Sequence, residues 1–243
     1  MKIALIHLGN LSQLIPSSSV MNGMIKHPIQ PEITWVVNSK NLTYIHKYNK
    51  LVKEVLSLEE FINKEAYYDI LINLYPFFPY NVSCNFDFKY ALGFGFDPEM
   101  DCFKKVFEEY HGFIDMNSFQ LYFKLCGLSW KGEGYSIKYF PKNRCHQNRI
   151  GMLVSNINLK NYVTENLDLQ NMKLWYIPYK KNMFKKMDEI NKCKKIITDD
   201  ITTLHLSLCL RKYVYFLSIS PHPLNIELFN SGEVYQVPHS IFG

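Results

Sequence analysis

The apolar residues of this chain fall into short runs separated by stretches of helical spacing. Residues 2–8 (KIALIHL) form a continuous apolar run closed by Gly9 and Asn10, the pattern of a strand buried on both faces. Residues 12–26 then place apolar positions at helical spacing, with Pro16 expected in the first turn. ITWVV (33–37), VKEVLSL (52–58) and YDILINLY (68–75) read as further strands, the last closed by Pro76 and Pro79. Between them, residues 38–49 offer Ser39 as an N-cap with Leu42 and Ile45 at helical spacing, and 58–61 open another helix.

A second alternation runs through RIGMLVS (149–155), MKLWYIP (172–178), KKIITDD (194–200) and YVYFLSI (213–219), with helical patterns at 182–191 and 202–210. Strands alternating with helices predict parallel sheets covered by helices, so the fold class is α/β. The Gly-rich, polar stretch 127–144 reads as a connector. This predicts two Rossmann-like lobes flanking a cleft, an N-terminal one over 1–140 and a short C-terminal one over 141–243.

Composition narrows the function classes. Of 243 residues, 47% are hydrophobic and 20% charged, which excludes a disordered chain. The 17 Tyr and 17 Phe allow a dense core from short elements. A net charge of +5 is too diffuse for a nucleic-acid stripe but suits an anionic ligand or peripheral contact with an anionic membrane surface. Six cysteines without CxxC spacing read as free thiols rather than a disulfide frame or a zinc site. The opening run is too short for a secretory leader, and no window reaches the length of a membrane span, so a cytoplasmic protein is expected.

Two turns stand out for chemistry. His7-Leu8-Gly9-Asn10-Leu11-Ser12-Gln13 joins the first strand to a helix, where amide groups and the helix dipole favour anions. It matches neither the dinucleotide nor the P-loop glycine pattern. Asp199-Asp200-Ile201-Thr202-Thr203-Leu204-His205 repeats the arrangement after an apolar strand, with Asp200 as N-cap, two threonines in the first turn and His205 one turn on. Such a turn suits a diphosphate, or it is simply a capped helix. Two adjacent aspartates without further oxygen ligands do not make a cation site. Ser218–Pro223 forms a third, proline-stiffened loop.

Taken in order, these pieces resemble the ADP-heptose:lipopolysaccharide heptosyltransferases, glycosyltransferase family 9. The resemblance is carried by Ile6–Gln13, by ITWVV, by Val52–Leu56, by Tyr68–Leu74, by Phe88–Phe94, by the helix Asn117–Leu128 and by Asp200–His205, which keeps the Asp and His of a D-T-G-x-x-H signature. It implies the two-lobed GT-B fold and an inverting, metal-independent transferase acting in lipopolysaccharide or related glycan synthesis without a cofactor. The donor would be a nucleotide-sugar, held by Asp199, Asp200, Thr202, Thr203 and His205. The acceptor would be a glycan or glycolipid at the inner membrane surface, and no nucleic acid is implied.

The departures bear on catalysis. Gln13 stands where the family carries its acidic residue, and an amide cannot accept a proton at neutral pH. Ser12 and Thr202 replace glycines, Ile201 replaces a threonine, and 156–171 look cut down, which predicts an abbreviated C-terminal lobe. His7 is the candidate substitute base, with Gly9, Asn10 and Ser12 shaping the loop. The other reading is a catalytically inactive binding or scaffold protein.

Overall fold

The computed structural model describes residues 1–26, 28–39, 42, 45, 47–76, 84–96, 118–167, 172–180, 182–218 and 232–238. The chain divides into two compact units, Met1–Lys138 and Tyr139–Gly243. Each is built on a five-stranded sheet.

In the first unit β1 (Lys2–His7), β2 (Glu32–Val37), β3 (Val52–Ser57), β4 (Ala66–Asn73) and β5 (Phe86–Gly93) are all parallel, in the order β3-β2-β1-β4-β5. The continuous apolar run of β1 is explained by its central place, with Ile3 to His7 buried. Ala4, Ile6, Val36, Phe61, Tyr68, Leu71 and Phe86 form the core on one side of the sheet.

The single helix expected over 12–26 is two short ones, α1 (Leu11–Ser17) and α2 (Val20–Met24). Pro16 lies near the end of α1, not in its first turn, and cannot donate a helical hydrogen bond. The hydroxyls of Ser17 and Ser19 then bond back to the carbonyls of Leu14 and Pro16, competing with helix continuation. Of residues 38–49, five (40, 41, 43, 44 and 46) lie outside the described residues, and among the others Leu42, Ile45, Lys47 and Tyr48 are in short helical turns. Helix α3 (Leu58–Ile62) starts at a complete capping box, Ser57 with Glu60, and α4 (Ser118–Leu125) ends in Gly127 at φ 66°.

The connector expected at 127–144 is in large part a fixed piece of the first unit. Trp130 stacks on Phe119 at 5.4 Å, Asn22 donates to the Gly134 carbonyl, and Lys26 pairs with Glu133. Asn49 donates to the Ser136 hydroxyl, and the Lys138 amide to the Tyr48 carbonyl. These bonds carry the chain as far as the unit boundary.

In the second unit β6 (His146–Leu153), β7 (Lys173–Tyr176), β8 (Cys193–Thr198), β9 (Tyr213–Ser218) and β10 (Gly232–Gln236) are parallel in the order β10-β9-β8-β6-β7. Helices α5 (Ile157–Asn166), α6 (Met183–Asn191) and α7 (Ile201–Cys209) connect them. The stretch expected to be cut down therefore holds a ten-residue helix capped by Asn156. Gly151 lets β6 sit close to its neighbours, because a Cβ there would come within 3.0 Å of Ile177, Cys193 and Ile196. Both units are Rossmann-like α/β sheets, and the short β7 and β10 account for the compactness of the second.

Candidate functional site

Each strand order reverses once, between β1 and β4 in the first unit and between β6 and β8 in the second. In open parallel sheets ligands bind beyond the carboxyl ends of the strands at such a reversal. The two turns singled out from sequence occupy these positions.

At the carboxyl end of β1 the turn is fully engaged with itself. Asn10 caps α1, accepting from the Gln13 amide at 3.3 Å, while the Gln13 side-chain oxygen accepts from the Asn10 amide at 3.2 Å. Ser12 donates its hydroxyl to the Asn10 side chain. Gly9 is required by this geometry, since a Cβ would lie 2.3 Å from Gln13 Oε1 and 2.7 Å from the His7 ring. Alongside, Gly93 takes φ +88° and approaches the Asn73 carbonyl so closely that a Cβ would lie 2.1 Å from it.

His7 is completely buried. The Gly9 amide donates to its Nδ1 at 3.2 Å, so Nε2 carries the proton and donates to the Tyr122 hydroxyl at 3.1 Å. Tyr75 and Tyr122 enclose the ring, with centroids 5.9 and 5.2 Å away. Burial pulls the His7 pKa down to about 3, only partly opposed by a backbone hydrogen bond. The role of substitute base assigned to His7 is thereby corrected: both ring nitrogens are committed and no solvent reaches them. His7 is a neutral strut between β1 and α4.

This burial has a measurable consequence. Between pH 6.5 and 3 the unfolded chain protonates His7 and the native protein does not, so stability falls as pH drops through that window. Chemical denaturation followed from pH 7 to pH 5 should show this loss, and His7→Gln should flatten the slope. Equal slopes in the two proteins would contradict the assignment.

At the carboxyl end of β8 the two aspartates divide their work. Asp199 accepts from the Ser155 amide at 3.0 and 3.1 Å and from the Ser155 hydroxyl, which ties the ends of β8 and β6 together across the reversal. Asp200 caps α7, accepting from the amides of Thr202 at 3.3 Å and Thr203 at 2.9 Å and from the Thr203 hydroxyl. It also accepts from the Lys186 ammonium at 2.8 Å. Partial burial pushes the Asp200 carboxyl up, but Lys186 and Thr203 outweigh it and leave its pKa below the usual carboxylate value. The amides expected to be open to an anion are thus already satisfied by Asp200. His205, one turn further along α7, is 2% exposed.

Sequence reasoning missed four residues. Lys186 is buried on α6, and its ammonium reaches a cap fourteen residues ahead. Only its helical phase on α6, one turn before the buried Ile190, could have signalled an inward cation. Ser155 was passed over because it belongs to no motif, and Tyr75 and Tyr122 read as ordinary core aromatics. Residues 219–223 of the proline-stiffened loop lie outside the described residues. Among the described residues no group of three His, Cys, Asp or Glu is placed to hold a metal, and no helix is long and apolar enough to cross a membrane.

Neither a protein-family model nor a curated protein matches the sequence. Solved structures do match the fold. E. coli heptosyltransferase WaaC with ADP-2-deoxy-2-fluoro heptose is 11% identical with a TM-score of 0.64, over 98% of this chain and 94% of that one. E. coli ADP-heptose lps heptosyltransferase II is 12% identical at 0.59, over 98% and 91%. A glycosyl transferase of family 9 from Veillonella parvula DSM 2008 is 13% identical at 0.58, over 97% and 86%. The chain has the GT-B glycosyltransferase fold, with two parallel-sheet units, as the order of motifs implied.

Proposed function

We propose that the chain is a nucleotide-sugar-dependent glycosyltransferase, heptosyltransferase-like, inverting and metal-independent, acting on a cell-surface glycan or glycolipid. The observation that carries this reading is the likeness to WaaC, solved with an ADP-sugar analogue, along almost the whole of both chains. Charge supports it. Tyr139–Gly243 holds 14 Lys and Arg against 8 Asp and Glu, while Met1–Lys138 holds 13 against 14, so the positive excess belongs to the unit assigned to the donor.

In this reaction an acceptor hydroxyl attacks the anomeric carbon and gives up its proton to water or to the departing diphosphate, the bond to the diphosphate breaks, and the diphosphate leaves with the electron pair. The groups of this chain that suit the leaving group are the Ser155 amide and hydroxyl at the end of β6, beside the N-terminus of α7. In the free protein Asp199 occupies these donors. A diphosphate would exchange with the Asp199 carboxylate at Ser155 while Asp200 stays at its cap.

A second reading, a binding or scaffold protein, is favoured by the first turn, where His7 is neutral and enclosed and the Gln13 side chain is held by the Asn10 amide in a capping box. Mass spectrometry of the full chain with ADP-heptose and other nucleotide-sugars, with and without a lipid A core acceptor, separates the two. Release of nucleoside diphosphate with matching mass gain on the acceptor is the expected result. Saturable donor binding without any release would establish the second reading instead.

A further inference from the structure

We propose that two copies of this chain pair through β5, edge to edge and antiparallel, around a two-fold axis at Phe88. Among the described residues β5 bonds to β4 alone and forms the edge of its sheet. It runs for eight residues, and Asp87, Phe88, Lys89 and Tyr90 are consecutively exposed, Phe88 by 42% and Tyr90 by 60%. Strand edges of this kind template pairing unless they are blunted.

The other edges are blunted. On β3, Lys53 pairs with Glu32 and Glu54 with Lys64, placing charged groups along the strand. The edges of the second unit, β7 and β10, are only four and five residues long. β5 is longer than either and carries no proline, and its exposed charges, Asp87 and Lys89, are one of each sign on one face, so they repel a partner strand only in the wrong register.

The sequence of β5 selects a second copy of itself as the occupant. With Phe88 on the axis, Asp87 of each copy lies directly opposite Lys89 of the other, and Phe86 opposite Tyr90. Opposed residues in an antiparallel pair point to the same face. Both Asp–Lys pairs therefore fall on one face, and Phe86, Phe88 and Tyr90 of each copy form a continuous aromatic row on the other, extending the packing of Phe86 on Phe61. Shifting the axis to residue 87 or 89 would oppose Asp to Asp or Lys to Lys. An axis midway between residues would set aromatic against charged side chains. One register alone satisfies both faces.

The test is sedimentation velocity of the full chain over a concentration series at low salt. The expected result is a reversible monomer–dimer equilibrium. Asp87→Lys and Lys89→Asp should each weaken it by roughly ten- to a hundredfold, because two attractive cross-strand pairs become repulsive. The double variant Asp87→Lys/Lys89→Asp should restore self-association, and an equimolar mixture of the two single variants should form mixed dimers. Circular dichroism of each variant verifies folding, and the mixture retains the test if one single variant proves poorly stable. A monomer at every concentration, or a dimer indifferent to both charge reversals, would overturn the proposal.

Discussion

Asp200→Ala is expected to destabilise the second unit by about 1–3 kcal/mol, because it leaves the buried Lys186 ammonium without its counter-charge, in a pair that solvent partly screens on the Asp200 side, which is 35% exposed. The side chain of Lys186 is only 9% exposed, and its ammonium sits 2.8 Å from Asp200. The substitution also removes the cap of α7, a further loss of about 1 kcal/mol. Two companions separate these causes. Asp200→Asn keeps an oxygen for the amides of Thr202 and Thr203 and loses only the ion pair, so most of the loss should persist. Adding Lys186→Met to Asp200→Asn removes the stranded charge and should recover most of the stability, as exchanging a buried pair for apolar groups typically does. Urea denaturation of the four proteins measures all three effects. A loss below about 1 kcal/mol for Asp200→Ala would mean that the pair does not anchor this turn.

The second large effect concerns Gln13. If the first turn hosts the acceptor's proton transfer, Gln13→Asp should raise transfer by roughly 10²–10⁴-fold, the usual contribution of a positioned general base. Gln13→Glu should do much less, although it supplies the same group. Gln13 Oε1 is turned back onto the Asn10 amide, and a glutamate would keep that capping-box contact, which holds a carboxylate charged but occupied. Aspartate is one methylene shorter and leaves the cap. Steady-state rates of the three proteins decide the matter, and equal rates would place the proton acceptor elsewhere in the molecule.

Why the sequence disclosed the sheets but not the contacts made at the two turns has a physical reason. β1 is a central strand buried on both faces, so its apolar run is unbroken and legible, β8 shows the same in its buried second half, Ile196–Thr198, and the Asp200 cap follows from a short polar side chain at a helix start. The break between α1 and α2 was hidden because it arises from serine hydroxyls bonding back to carbonyls, which leaves the apolar spacing intact. His7 looked available because position at a strand end says nothing about cover. Tyr122 closes over it from 115 residues away, a contact that no local pattern encodes. Lys186 and Ser155 were silent for the same reason, since each acquires its role from a partner on another element. The departure at Gln13, by contrast, was legible from one residue, because an amide and a carboxylate differ in chemistry and not in packing.

The proposed function puts a nucleotide diphosphate where β6 and β8 part. Hydrogen–deuterium exchange of the full chain with and without ADP tests it most directly. The expected result is slowed exchange at the amides of residues 154–160 and 199–205, the ends of β6 and β8 with the first turns of α5 and α7, while the rest of the second sheet is unchanged. Exchange unaltered by millimolar ADP, or slowed only in other segments, would contradict the account.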